Sequence, residues 1–164
     1  RPVEQCDVIQ RGVWGYRIGE RDFRTPEDVV AMVARAASKG SNLLMNVGPD
    51  GSGQLPRRAV EVLEKVGGWF AKNGESIYGT DAGGISSGKA VVSTRKGGVL
   101  YLHFLDPKTD AIEFATDVDF AEARVLGTGA AVPIAKTAAG KVRIVAPRAA
   151  GDGFDVVVKL SPAR

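Results

Sequence analysis

An indole, a glycine and a phenol stand in a row at Trp14-Gly15-Tyr16. In a loop, such a ring can stack on the apolar face or methyl group of a sugar, and the glycine lets the ligand come close to the backbone. The competing reading is a loop anchor packed on neighbouring helices. Five carboxylates are candidates for acid, base or nucleophile: Glu4, Asp7, Glu20, Asp22 and Asp50. A retaining glycosidase needs two carboxyl groups about 5–5.5 Å apart, one to attack and one to protonate the leaving oxygen. Sequence does not measure that gap. If a first strand runs from Val3 to Ile9, Glu4 enters at its amino end; if the strand stops near Glu4, that group lies at the carboxyl end. The alternative for each acid is a solvated or salt-bridged side chain.

Other polar positions carry weaker chemistry. Asn46 ends a short apolar run, so its amide needs partners, either loop backbone or a ligand hydroxyl, with loop support the simpler choice. Gly48-Pro49-Asp50-Gly51-Ser52-Gly53 lacks the Lys-Ser/Thr of a phosphate loop and the 12-residue ligand pattern of a calcium loop, and is read as turn geometry. His103 alternates with Tyr101 and Leu105 and has no acid or nucleophile at a diagnostic spacing, which makes it a structural or surface histidine. With one cysteine, Cys6, and one histidine, the chain holds neither an internal disulfide nor a Cys/His zinc cluster, so no metal site is expected.

The elements that must position these residues differ between the two halves. Thr25-Pro26-Glu27-Asp28 supplies an N-cap, a proline at the first helical position and two acids at the positive end of the helix dipole. Val29, Val30, Met32, Val33, Ala36 and Ala37 continue with helical spacing until Gly40. Asn42 to Val47 reads as a strand buried on both faces, and after Pro56 the stripe Val60, Leu63, Val66, Trp69 and Phe70 predicts a second helix ending at Asn73-Gly74. With a strand over residues 3–9, residues 1–74 form two strand-helix units of a parallel α/β layer, and Trp14 falls in a loop at the carboxyl end of its strands, where such folds place their sites. Two parallel strands leave open edges, so the rest of the layer is expected from elsewhere.

After Ile77-Tyr78-Gly79-Thr80 the composition changes. A linker at Gly83-Gly84 and Ser86-Ser87-Gly88 precedes seven short β-rich runs, at residues 90–94, 99–105, 111–116, 123–126, 132–137, 142–145 and 154–160. Such runs, separated by turns such as Gly151-Asp152-Gly153, suggest an antiparallel sandwich. The fold class is therefore α/β followed by all-β.

The 164 residues, 44% hydrophobic and 25% charged, have a globular composition with a net charge of +3. Residues 1–80 hold 11 Lys/Arg against 10 Asp/Glu and residues 81–164 hold 11 against 9, with no basic block of the kind phosphate neutralisation needs, so nucleic acid is set aside. No apolar run approaches the roughly 18–20 residues of a membrane span. The start RPVEQCDVIQ has no signal-peptide core and no initiator methionine, and is read as a cut end.

Four ordered segments carry a family resemblance: Glu4-Gln5-Cys6-Asp7; Trp14-Gly15-Tyr16; Gly40-Ser41-Asn42-Leu43-Leu44-Met45-Asn46-Val47-Gly48-Pro49 through Gly53; and Trp69 through Asn73-Gly74-Glu75-Ser76-Ile77-Tyr78-Gly79-Thr80. In order and spacing they resemble the W-E-x-C, W-G-Y, G-x-N-L-L-x-N-x-G-P and W-x-x-x-N-G-E-x-I-Y-x-T motifs in the C-terminal part of family 29 glycoside hydrolases, the α-L-fucosidases. The resemblance implies an exo-acting enzyme that removes terminal α-L-fucose from glycoconjugates with retention, without a cofactor, on a (β/α)8-like barrel followed by a β-sandwich. Residues 1–80 then correspond to the last two barrel units and residues 81–164 to the sandwich. Trp14 corresponds to a substrate-binding aromatic that packs on fucose, and Glu4 to a glutamate considered for the catalytic acid/base role; Val3 stands where the family has tryptophan. The nucleophilic aspartate is expected upstream, so the partners implied are a fucosylated glycan and the remainder of the barrel. By the same analogy the compartment is periplasmic or extracellular.

Two other classes compete. The sandwich could be a carbohydrate-binding or structural module, but both tryptophans lie in the first half, and the second half offers Tyr101 and four phenylalanines that read as core. The whole could also be a degenerate homologue that binds fucose without cleaving it.

Overall fold

The computed structural model describes residues 3–19, 21–147 and 155–163. Strand β1 (Val3–Val8), helix α1 (Pro26–Ala37), strand β2 (Ser41–Asn46) and helix α2 (Arg57–Asn73) come first, and a 3-10 turn at Gly74–Ser76 closes this half. β1 and β2 pair in parallel, Val3 opposite Ser41 and Val8 opposite Asn46. The cap of α1 is the one its sequence predicts. Thr25 accepts from the Asp28 amide (3.2 Å), and the Asp28 carboxylate accepts from the Thr25 amide (2.9 Å), which satisfies two free N–H groups at once. Gly40, with φ +68°, turns the chain into β2 in a conformation that disfavours any side chain.

The second half holds β3 (Asp81–Ala82), β4 (Val91–Lys96), β5 (Val99–Phe104), β6 (Ala111–Phe114), β7 (Phe120–Val125), β8 (Ile134–Lys136), β9 (Val142–Val145) and β10 (Val156–Pro162). They form two antiparallel sheets, β3-β4-β5-β10-β7 and β6-β9-β8. Both sheets contribute to one apolar core, through Leu100, Leu102 and Phe104 of β5, Ile112 and Phe114 of β6, Ile144 of β9 and Val158 and Leu160 of β10. Of the four phenylalanines expected in this core, Phe104 and Phe114 are buried, Phe120 packs at its margin, and Phe154 lies outside the described residues. The Gly151-Asp152-Gly153 turn lies outside them too.

Period-two alternation sends the odd residues of β5 to the opposite face. There Tyr101 joins Val157 of β10 and a second core made by Val29 and Val30 of α1 and Ala59, Val62, Val66 and Trp69 of α2. The five-stranded sheet is therefore covered on one face by the smaller sheet and on the other by the helices.

Three sequence expectations need correction. The buried stripe of α2 is centred on Ala59, Val62, Val66 and Trp69, while Val60 and Leu63 are only half-buried, because the helix faces both the sheet and an apolar groove. The segment read as a linker is fastened to β4: the Gly83 amide donates to the Ser93 carbonyl (3.0 Å), and Ser93 Oγ bridges the Ile85 amide and carbonyl (2.9 and 2.7 Å). β7 begins at Phe120, three residues before the predicted run, because Phe120 to Glu122 pair with Ser161 and Pro162 at the far end of the chain.

Candidate active site

At the carboxyl ends of β1 and β2 the ladder continues one step, with the Ile9 amide donating to the Asn46 carbonyl (3.0 Å). The chain then leaves on a closed excursion. Its base is an antiparallel bridge between Gln10 and Phe23, supported by hydrogen bonds from the Arg24 amide to the Ile9 carbonyl and from the Arg11 amide to the Asp22 carbonyl (both 2.9 Å). Side chains brace the same base. Gln10 Nε2 donates to the Arg17 carbonyl (3.1 Å), Arg24 donates to the Val8 carbonyl (2.8 Å) and to Asp7 (2.5 Å), and Arg11 pairs with Asp28 (2.6 Å) and Asp22 (3.3 Å).

Trp14, Tyr16 and Ile18 project from this excursion, 63%, 41% and 84% exposed. Their backbone is held from β2. Asn46 Nδ2 donates to the Trp14 carbonyl, which resolves the choice between loop support and a ligand hydroxyl in favour of the loop. Gly48 lies directly on the backbone of Gly15 and Tyr16: a Cβ there would stand 2.4 Å from Gly15 C and from Tyr16 N. The Trp-Gly-Tyr and Asn-Val-Gly segments, more than thirty residues apart in sequence, are therefore one packed unit, and Gly48 is glycine because no side chain fits between the two chains. Nothing local in either segment predicts that contact.

The candidate acids fall into distinct positions. Asp7 points to the base of the excursion. Partial burial pushes its carboxyl upward, but hydrogen bonds from the Val8 amide (2.7 Å) and Arg24 outweigh this and hold it below the ordinary range. Asp50 organises its own turn, accepting from Ser52 Oγ (2.6 Å), the Ser52 amide (2.8 Å) and the Gln54 amide (3.0 Å), which lowers it as well. Neither is poised to donate a proton, which requires a raised pKa. Asp22 is paired with Arg11, and Glu20 lies outside the described residues.

β1 extends through Val8, so Glu4 stands at its amino end, exposed, with the Cys6 thiol 3.8 Å from its carboxylate. Four strand residues, about 13 Å at the usual rise, separate it from the end that carries Trp14. The fold does not bring the two residues nominated by resemblance together. His103 is fully buried rather than at the surface, with Nδ1 2.7 Å from Asp155 Oδ2. That pair, 52 residues apart, is invisible to spacing. Among the described residues no three His, Cys, Asp or Glu side chains gather as a metal ion would need, and no helix is long and apolar enough to cross a membrane.

A family model described as Alpha-L-fucosidase matches residues 1–75. Over its full extent the fold is similar to that of alpha-L-fucosidase isoenzyme 1 from Paenibacillus thiaminolyticus, at 34% identity and a TM-score of 0.85, covering 99% of this chain and 40% of that one. Along almost its whole length, this chain is similar to α-L-fucosidases. It also resembles the Thermotoga maritima alpha-fucosidase solved in complex with fucose, at 26% identity and a TM-score of 0.79, covering 96% of this chain and 39% of that one. Human plasma alpha-L-fucosidase is 40% identical over 79 residues, 47% of this chain and 17% of the relative. The chain thus spans about a sixth of the curated relative's length and about two fifths of the solved ones. The two segments that interlock at Gly15 and Gly48 both lie within the residues that the family model matches.

Proposed function

We propose that the chain is the C-terminal portion of a retaining exo-α-L-fucosidase that removes terminal α-L-fucose from glycoconjugates. The observation that carries this reading is likeness along almost the whole chain to a solved fucosidase, at 34% identity and a TM-score of 0.85. Residues 1–80 supply the last two strand-helix units of a (β/α)8-like barrel, and residues 81–164 a β-sandwich packed behind them. Two features favour a larger barrel. β1 and β2 form a parallel pair with no third strand among the described residues, although parallel strands are normally buried on both faces. Beside them lies an open apolar groove of about 580 Å3, lined by Val33, Leu43, Met45, Leu63 and Phe70 among others. Strands and helices of the remaining barrel are its natural cover.

Trp14 then offers its ring to the apolar face and methyl group of fucose, on a loop fixed by Asn46 and Gly48. Asp7 and Asp50 are committed to local structure, and Glu4 stands at the amino end of its strand, so the nucleophile and proton donor come from the remainder of the barrel. Glu4 is assigned no proton transfer in this reading, against the role its resemblance suggests.

The test is hydrolysis of an aryl α-L-fucoside by these 164 residues and by the protein expressed from the complete reading frame. Activity confined to the longer protein is the expected result. In that protein Trp14→Ala should raise KM about tenfold or more, the cost of losing a stacked ring, and Glu4→Gln should leave the pH–rate profile in place. Activity in the short chain alone would defeat the assignment, and silence of both would favour a fucose-binding homologue.

A further inference from the structure

The run Trp69 to Tyr78 has no task in the sugar site. It begins in the last turns of α2, and its Ile77 and Tyr78, with Thr80 just beyond, line the groove together with Gly40 and Ser41, at the start of β2 and the end opposite Asn46. Its polar groups turn instead to the five-stranded sheet. Thr94 of β4 is the register partner of Tyr101 of β5, and Tyr101 is the partner of Lys159 of β10. Cross-strand partners share a face, so the three form one transverse row.

Every member of that row holds the turn after α2. Thr94 Oγ1 donates to the Ser76 carbonyl (2.5 Å), and Glu75 Oε1 accepts from Tyr101 (2.6 Å) and from Lys159 (2.5 Å). Lys96 adds a bond to the Tyr78 carbonyl (3.3 Å). The helix end is itself rigid: Asn73 Nδ2 donates to the Trp69 carbonyl (3.2 Å), and Ser76 Oγ to the Asn73 carbonyl (2.7 Å). One step along the sheet, buried His103 is held by Asp155 and lies with its ring 6.4 Å from that of Trp69. Exposed ion pairs contribute little. This carboxylate differs because one of its donors sits on a ring that is 2% exposed and requires a partner for its hydroxyl.

We propose that Glu75 is a positioning residue: by gripping Tyr101 and Lys159 on adjacent strands it pins the end of α2 to the sheet, and so fixes α2 and β2 beneath the Asn46–Trp14 contact. The β-rich half thereby acts on the sugar site without touching sugar. The clamp stands on the contacts above, whereas its effect on turnover rests on the fucosidase reading.

The test compares Glu75→Ala, Glu75→Gln and Tyr101→Phe in the protein from the complete reading frame, by amide hydrogen exchange and by KM and kcat on an aryl α-L-fucoside. Glu75→Ala should speed exchange over residues 41–74 about tenfold, the effect of losing charge-assisted hydrogen bonds, while Leu100–Phe104 keep their protection. Glu75→Gln, whose amide oxygen still accepts from Tyr101, should restore most of that protection; in Glu75→Ala KM should rise with kcat nearly constant, and Glu75→Gln should bring it back towards the parent value. Exchange that rises equally in both regions, or in neither, overturns the clamp, and local loosening with unchanged KM overturns the positioning role. Absence of fucosidase activity in the parent protein would defeat the function proposed above and leave hydrogen exchange to judge the clamp. Should Glu75→Ala not fold, Tyr101→Phe, which keeps the ring, carries the same comparison.

Discussion

β5 and the β1–β2 pair meet different surroundings. On β5 one face feeds Leu100, Leu102 and Phe104 into the inter-sheet core, and the other presents Tyr101 and His103 to the helices, so that all five are buried. On β1 the residues from Val3 through Cys6 are exposed, and Leu44 of β2 is 45% exposed. The antiparallel sheets satisfy themselves within these residues. The parallel pair, which carries the Trp14 and Gly48 loops, has apolar surface suited to cover by more protein, and the hydrophobic effect favours that cover in proportion to the area removed from water.

The sharpest way to break this contrast is to truncate one large side chain in each region. Phe104→Ala removes a fully buried ring and should cost about 3–5 kcal/mol by denaturant unfolding. Leu44→Ala should cost under about 0.5 kcal/mol in the 164-residue chain, as surface changes do, and about 2–4 kcal/mol in the longer protein if a neighbouring strand buries it. Equal, small costs for Leu44→Ala in both proteins would remove the barrel from the interpretation.

A second comparison lies inside the site. An alanine Cβ at Gly48 would overlap the Gly15–Tyr16 backbone at 2.4 Å, whereas one at Gly15 meets nothing within 4 Å. Backbone cannot swing aside as a side-chain tip does, so Gly48→Ala should destabilise by about 1–3 kcal/mol and raise KM by displacing Trp14. Gly15→Ala should stay within about 0.5 kcal/mol of the parent. A tolerated Gly48→Ala would mean that the two loops are not interlocked.

What could be read from sequence, and what could not, divides along the same physical line. α1 is legible because its cap, its acids and its terminating glycine act within a few residues. The seven runs of the second half each overlap an observed strand, since alternation and turns are local as well. The pairings that matter most are distant. Gly48 against Gly15, Glu75 against Tyr101 and Lys159, and His103 against Asp155 depend on how layers pack, and no spacing announces them. β3 is illegible because two residues carry no period. For Glu4 the two alternatives turned on where β1 ends, a boundary that register with β2 decides and composition does not.

The smallest effect separates the two regions by pH. Asp7 at the loop base and Glu75 at the seam both have depressed pKa values. For Asp7 burial works against the Val8 and Arg24 contacts that win; for Glu75 the Lys159 and Tyr101 hydrogen bonds dominate. A depressed carboxylate contributes stability above its ordinary pKa, 3.8 for Asp7 and 4.5 for Glu75, and loses it as pH falls through the lower folded value. Acid therefore weakens both regions together, modestly for Glu75 because its side chain is 45% exposed. Alkali acts on the seam. Burial, with the Glu75 carboxylate beside it, raises the Tyr101 phenol above its ordinary 10.0. The unfolded chain then ionises this tyrosine first, and its contribution, complete below pH 10.0, declines as pH rises further. The stability difference between the parent and Tyr101→Phe, measured in urea from pH 7 to 11, should hold steady to about pH 10 and shrink beyond it. A difference that stays flat to pH 11 would mean that Tyr101 is not held in its protonated form, and the bond joining the sheet to Glu75 would lose its support.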